Sequence, residues 1–258
     1  MLHDAVARPR SMVFAHGFTQ TARSWDRMRS LLAERLPSVD TVAVDLPGHG
    51  DSPAPPDGDL WASADEIVAT GGHATYVGYS MGGRVALHVA LAHPQLVEGL
   101  VLIGATAGID DADEREARRA ADEQLAAHIE DVGVATFLDE WLANPLFAGL
   151  DEVAAGRDDR LRNTPERLAA SLRATGTGTQ TPLWDRLGEI TVPALVLVGA
   201  DDAKFTALGE RLVARLPDAT IEVIPGAGHS VHLEAPTATA DAIAAWYERV
   251  VRGAPGTR

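Results

Sequence analysis

The chain has 258 residues, 46% of them hydrophobic and 23% charged, which suits one large globular domain or a domain carrying an insertion. Its net charge of −15 argues against non-specific binding to nucleic acid or anionic membranes, and any site for an anion would need local arginines to overcome that field. The absence of cysteine excludes disulfides and thiolate chemistry and fits a reducing cytoplasm.

No apolar run approaches the ~18 residues of a membrane span. Met1 to Arg8 lacks the basic segment followed by an apolar core that a secretory signal requires. Ser11-Met12-Val13-Phe14-Ala15 is predicted as a short buried strand running into His16-Gly17-Phe18. Few residues precede it, so one or two edge strands are expected to be short or missing. Apolar residues at helical spacing (Trp25, Met28, Leu31, Leu32, Leu36) mark a helix that ends at Pro37. A strand over 41–44 follows, closed by Asp45-Leu46-Pro47-Gly48-His49-Gly50-Asp51-Ser52. Residues 53–59 form a Pro/Asp/Gly-rich loop and residues 60–70 a helix.

Thr75-Tyr76-Val77-Gly78-Tyr79-Ser80-Met81-Gly82-Gly83 then joins a β-rich run to an Ala/Leu-rich helix over 81–92. A Gly-x-Ser-x-Gly pattern in that setting predicts a sharp strand-to-helix turn that presents Ser80 as a nucleophile. Gly78 and Gly82 flank it because a Cβ at either place would clash. The short motif is weak by itself, and its strand–turn–helix context carries the weight.

Leu100-Val101-Leu102-Ile103 is another buried strand. From Asp110 to Thr181 the rhythm breaks into Ala/Arg/Asp/Glu-rich helical sequence, with Thr164 as an N-cap and Pro165 as first helical residue. Strands resume at 194–198 and 220–224, a final helix covers 236–250, and 252–258 is a frayed tail. The expected architecture is α/β: a mostly parallel, doubly wound sheet from residues 1–109 and 182–258, with a helical cap over 110–181.

A serine hydroxyl needs a base, and the base needs an orienting acid. The strand 194–198 runs into Asp201-Asp202, and the strand 220–224 runs into Gly228-His229. Both lie at carboxyl ends of strands, where open α/β sheets build their sites. Each residue alone has an ordinary reading, as a turn or cap carboxylate and as a half-buried histidine. The order serine, acid, histidine selects Ser80, the Asp201-Asp202 pair and His229, with Asp202 the favoured acid. Asp201 reads as a turn residue and His232 as packing. The backbone N–H of Met81 and that of Phe18 are placed as an oxyanion hole. His49 reads as scaffold, and His3, His73, His88, His93 and His128 share no ligand spacing, so neither metal nor organic cofactor is expected.

These residues resemble the α/β-hydrolase superfamily over essentially the whole chain. More narrowly, Asp45 to Ser52, Gly78 to Arg84, Trp141-Leu142-Ala143-Asn144-Pro145-Leu146-Phe147, Gly199 to Phe205, Arg162 to Glu166, Gly176-Thr177-Gly178 and Gly228 to Glu234 resemble the 2-succinyl-6-hydroxy-2,4-cyclohexadiene-1-carboxylate synthases of menaquinone biosynthesis. That resemblance implies a lyase whose triad removes a proton so that pyruvate is eliminated from a substrate with three carboxylates. It implies substrate contacts at Tyr79, Arg84, Arg118, Trp141 and Arg162, with Trp141 as a cap wall; the register of Arg118 against Arg119 stays open. Arg84 also stands one helical turn from Ser80, and guanidinium forks suit carboxylates. The alternatives are a carboxylesterase sharing the triad and a non-catalytic binding protein on the same scaffold. A small anionic molecule is the expected partner, for a monomer or small homo-oligomer.

Overall fold

Every residue of Leu100-Val101-Leu102-Ile103 is buried, so the sheet that holds it needs cover on both faces. The computed structural model, which describes residues 10–53 and 58–253, provides that cover. Six strands, all parallel, lie in the order β2-β1-β3-β4-β5-β6: β1 (Arg10–Ala15), β2 (Val39–Val44), β3 (Ala74–Tyr79), β4 (Val97–Ile103), β5 (Ala194–Gly199) and β6 (Ala219–Ile224). All six strands expected from the sequence are present. An additional edge strand before β1 would fall on residues 1–9, outside the described residues, as does most of the loop 53–59.

Side chains alternate between the faces with period two. Val13, Leu100, Leu102, Val196 and Val198 face one cluster, which contains α2 (Leu60–Gly71) and α3 (Met81–Ala92). Met12, Phe14, Val101, Ile103, Leu195 and Leu197 face the other. There α1 (Asp26–Arg35) packs with the C-terminal helix Pro236–Trp246, which continues as a π-helical turn, Tyr247–Arg252. Both faces are therefore closed by helices, which is why the strands read as continuous apolar runs.

Between β4 and β5 the described residues are helical: α4 (Ala112–Leu142), α5 (Glu152–Ala155), α6 (Arg157–Arg160) and α7 (Pro165–Thr175). Gly133, at φ 77° and ψ 164°, bends α4. The segment has an apolar cluster of its own, in which Ala126, Ile129, Phe137 and Leu138 of α4 meet Leu168 and Leu172 of α7. Thr164 caps α7 by accepting from the Arg167 amide, with Pro165 in the first turn, as the sequence predicts. After β5 comes α8 (Ala203–Val213), and after β6 come α9 (Val231–Glu234) and α10 (Pro236–Trp246). Parallel pairing brings the carboxyl ends of all strands to one edge, so the loops carrying Phe18, Ser80, Asp202 and His229 emerge together.

Candidate active site

The turn after β3 places Ser80 at φ 49° and ψ −105°, a region that costs a residue with a Cβ on the order of 1–3 kcal/mol. The surroundings hold it there. Ser80 N–H donates to Ile103 O at 2.8 Å, its carbonyl accepts from Arg84 N–H at 3.1 Å, and Gly82 N–H reaches His16 O at 3.0 Å. A Cβ on Gly78 would overlap Gly82 O, and one on Gly82 would overlap Ala15 O, so the strand–helix approach needs both glycines.

Asp202 and His229 are buried and joined, with Nδ1–H donating to Asp202 Oδ2 at 3.0 Å. Asp202 Oδ1 accepts from the Phe205 amide at 3.0 Å. Burial by itself would raise the Asp202 carboxyl. The hydrogen bonds from His229 and Phe205, together with the charges of His229 and Lys204, outweigh it and hold the group below its ordinary value. Asp201 is an exposed turn residue whose amide donates to Ala227 O. Ser80 Oγ makes no hydrogen bond among the described residues, and it lines the same cavity as His229. Such contacts are commonly long in a ligand-free site and shorten on substrate.

The loop after β1 is shaped by two buried, neutral imidazoles. His16 Nδ1–H donates to Gly17 O at 2.8 Å and Nε2 accepts from Leu46 N–H at 3.0 Å. His49 Nδ1–H donates to Pro47 O at 3.2 Å and Nε2 accepts from Thr19 N–H at 3.3 Å. Burial pushes His16 down to about 4 and His49 down to about 3. The helical segment grips the same loop: Asn163 Nδ2–H donates to Thr19 O at 2.7 Å, and Arg160 donates to Thr19 Oγ1. Thr19 is thereby held at φ 69°. Phe18 and Met81 both line the cavity, and their backbone N–H groups donate to nothing among the described residues.

The cavity has a volume of about 540 Å³ and lies between the strand ends and the helical segment. Trp141 forms part of its wall, packed on Phe18, Phe137 and Phe147 at 5.5–5.6 Å, with its Nε1–H buried and unpartnered. Tyr79 also lines it, but its hydroxyl is hydrogen-bonded to Ser230 Oγ at 2.6 Å and burial raises its pKa. Tyr79 also stacks on His232, which lies between it and Trp25. That packing is the role expected of His232, and burial lowers its pKa to about 3.

Four cationic side chains line the cavity: Arg84, Arg118, Arg160 and Lys204. Arg84 is 6% exposed and makes no ion pair among the described residues; its Nη1 donates to Thr175 O at 2.6 Å and Gln180 Oε1 at 3.3 Å. Burial, then the charge of Arg118, lowers its pKa to about 10 against the pull of Asp122. Arg118, in the cavity lining, pairs with the buried Asp122 at 2.7 Å, whereas Arg119 pairs with Glu116 at the surface. Arg162 is not among the residues that line the cavity; it pairs with Asp51 at 2.9 Å and with Asp159 at 3.6 Å. Arg160, on α6, takes its place in the wall; it is 3% exposed, makes no ion pair among the described residues, and burial lowers it to about 10. Arg160 ends α6 and Arg162 follows its C-cap in the next turn, and no linear signal tells which one turns inward.

The sequence pattern of the alpha/beta hydrolase family matches residues 12–242. The chain belongs to the alpha/beta hydrolase family. Within this family it is similar to the 2-succinyl-6-hydroxy-2,4-cyclohexadiene-1-carboxylate synthase of Serratia proteamaculans (strain 568), at 35% identity over 237 residues, 89% of each chain. The structure of MenH from S. aureus superposes with a TM-score of 0.86 at 29% identity, covering 95% of this chain and 96% of that one. A thermophilic esterase from Thermogutta terrifontis, with malate bound, superposes at 0.77 with 26% identity, covering 93% and 89%. Residues that a reading of motifs passes over also meet around this cavity and its loops. Arg160, Asn163 and Gln180 come from the helical segment, and Glu234 follows the histidine loop. Among the described residues no group of three potential metal ligands occurs, and no helix is long and apolar enough to cross a membrane.

Proposed function

We propose that this protein is a carbon–oxygen lyase. It would eliminate pyruvate from 2-succinyl-5-enolpyruvyl-6-hydroxy-3-cyclohexene-1-carboxylate to give 2-succinyl-6-hydroxy-2,4-cyclohexadiene-1-carboxylate, with Ser80, His229 and Asp202 acting as its base. The observation that carries this reading is Arg84: a buried guanidinium with no ion pair among the described residues, one helical turn from Ser80, in a chain of net charge −15. A buried unpaired charge is costly unless a ligand neutralises it. The substrate brings three carboxylates to a cavity lined by Arg84, Arg118, Arg160 and Lys204.

The two names fix the electron flow. The proton on C2 lies beside the succinyl ketone and is lost to the base; His229 receives it, directly or by way of Ser80. Charge gathers on the ketone oxygen, which the free N–H groups of Phe18 and Met81 would stabilise. As C2=C3 forms, the C3=C4 double bond shifts to C4=C5 and the C5–O bond breaks. Pyruvate departs as its enolate, which takes up a proton. Asp202 keeps the His229 tautomer that presents Nε2 to the reaction and supports the imidazolium. The helical segment acts here as a cap that excludes water.

Ester hydrolysis is the second reading, because a strained serine beside free amides serves acyl transfer equally well and the Thermogutta terrifontis esterase shares the fold. The two separate on charge. Replacing Arg84 by Ala removes a charge-assisted contact worth about 1.5–3 kcal/mol, or roughly 10- to 150-fold in kcat/KM on the trianion. A short neutral ester loses no such contact and should be hydrolysed by the variant at close to the wild-type rate. Pyruvate release and ester hydrolysis measured side by side decide it: a parallel fall, or no fall on the trianion, removes the lyase reading.

A further inference from the structure

Both carboxylate oxygens of Glu234 are committed to the loop that carries His229. Oε2 accepts the Gly228 N–H at 2.7 Å and Oε1 accepts the Ser230 N–H at 2.8 Å. His229 is thus suspended between two backbone amides held by one carboxylate, through bonds that are charge-assisted and correspondingly strong. Its ring contacts fix other coordinates: Nδ1–H points to Asp202, and the Phe205 ring lies 4.2 Å away. A second observation ties this carboxylate to the helical segment. A Cβ on Gly149 would overlap Glu234 Oε2, so the backbone between the Pro145–Phe147 turn and α5 rests directly on it.

We propose that Glu234 is a positioning residue for the base His229. The proposal rests on His229 being the base. A carboxylate at this place aligns the imidazole with Ser80 and the reacting C–H only while both amides are gripped.

Glu234→Gln keeps the shape but offers one acceptor and one amide donor, so one loop N–H is left facing a donor. A misplacement on the order of 1 Å can cost about 100-fold. We expect kcat to fall about 10- to 100-fold on both the trianion and a short neutral ester, while KM for each stays within about twofold. A role confined to stability would lower the Tm and leave kcat per folded molecule unchanged. Unchanged kcat, or a rise in KM at constant kcat, overturns the positioning role. Gly149→Ala leaves the histidine loop itself untouched and pushes on Oε2; it should lower kcat on both substrates, with no further fall when added to Glu234→Gln. Strictly additive losses overturn the role of the Oε2 contact. His229→Ala is the control: if it retains turnover, the base assignment fails, whereas an inactive His229→Ala beside an unaffected Glu234→Gln defeats this inference alone.

Discussion

Ser80 shows how one residue can be read twice, as chemistry and as strain. Its φ of 49° is unfavourable for any side chain with a Cβ, and the bonds to Ile103, Arg84 and the Gly82 approach oppose relaxation. Ser80→Ala should therefore lose about 10³-fold or more in turnover while keeping the strain. Ser80→Gly should be equally inactive and more stable than Ser80→Ala by about 1 kcal/mol, since glycine accepts positive φ. Urea unfolding of the two variants checks this, and equal midpoints would contradict the strain argument. The acid separates in the same way. Asp202 is hydrogen-bonded to His229 and Asp201 is an exposed turn residue, so Asp202→Asn should disable the enzyme and Asp201→Asn should leave turnover within a few-fold of wild type. Steady-state kinetics of the pair would reveal a wrong choice as equal sensitivity.

At the scale of elements, the turn between α6 and α7 is a joint between the helical segment and the core. Asn163 is 5% exposed and uses its whole amide: Oδ1 accepts from Gly50 N–H at 2.8 Å, and Nδ2 donates to Thr19 O at 2.7 Å and Arg160 O at 2.9 Å. Asn163→Ala leaves the Gly50 donor and the Thr19 acceptor without partners in a buried place, which costs about 1–3 kcal/mol. Because Thr19 adjoins Phe18, the same change should also reduce kcat. A denaturation midpoint lowered without loss of turnover in the folded protein would show that the joint does not reach the oxyanion donors.

For the whole molecule, the buried histidines set a pH limit. Burial holds His16 and His88 near 4 and His49 and His232 near 3, all below the ordinary 6.5. The unfolded chain therefore binds protons that the native one refuses as pH drops below about 6.5. The stability they confer is complete above 6.5 and is lost progressively towards 3–4. Each should remove about 1.4 kcal/mol between pH 7.5 and 5.5. Chemical denaturation at these two pH values tests the sum, and a midpoint that does not move would refute the neutral-histidine description.

The strands were legible because each is a short run rich in β-branched and apolar residues bounded by turn chemistry, and in the central strands β3, β4 and β5 cover on both faces demands that pattern at nearly every position. Ser80, Asp202 and His229 were legible for a related reason: parallel strands deliver their following loops to one edge, so chain order alone implies proximity. The helical segment obeys no such rule. Its helices are amphipathic and charged on the outside, and which arginine faces the cavity depends on how α6 is rotated against the loop after β1. Linear sequence favoured Arg162, whereas the fold turned Arg160 inward to Thr19 and left Arg162 with Asp51 and Asp159. Glu234 is a similar case. A glutamate in the last position of a four-residue helix has no motif meaning until the chain folds back to place two amides and Gly149 against it. Sequence by itself determined the sheet and the order of the loops that carry Ser80, Asp202 and His229, because local patterning and parallel topology are enough to specify them. Only the tertiary structure decided which charges meet in the cavity, because that depends on the rotation and seating of helices whose surfaces carry charge on several sides.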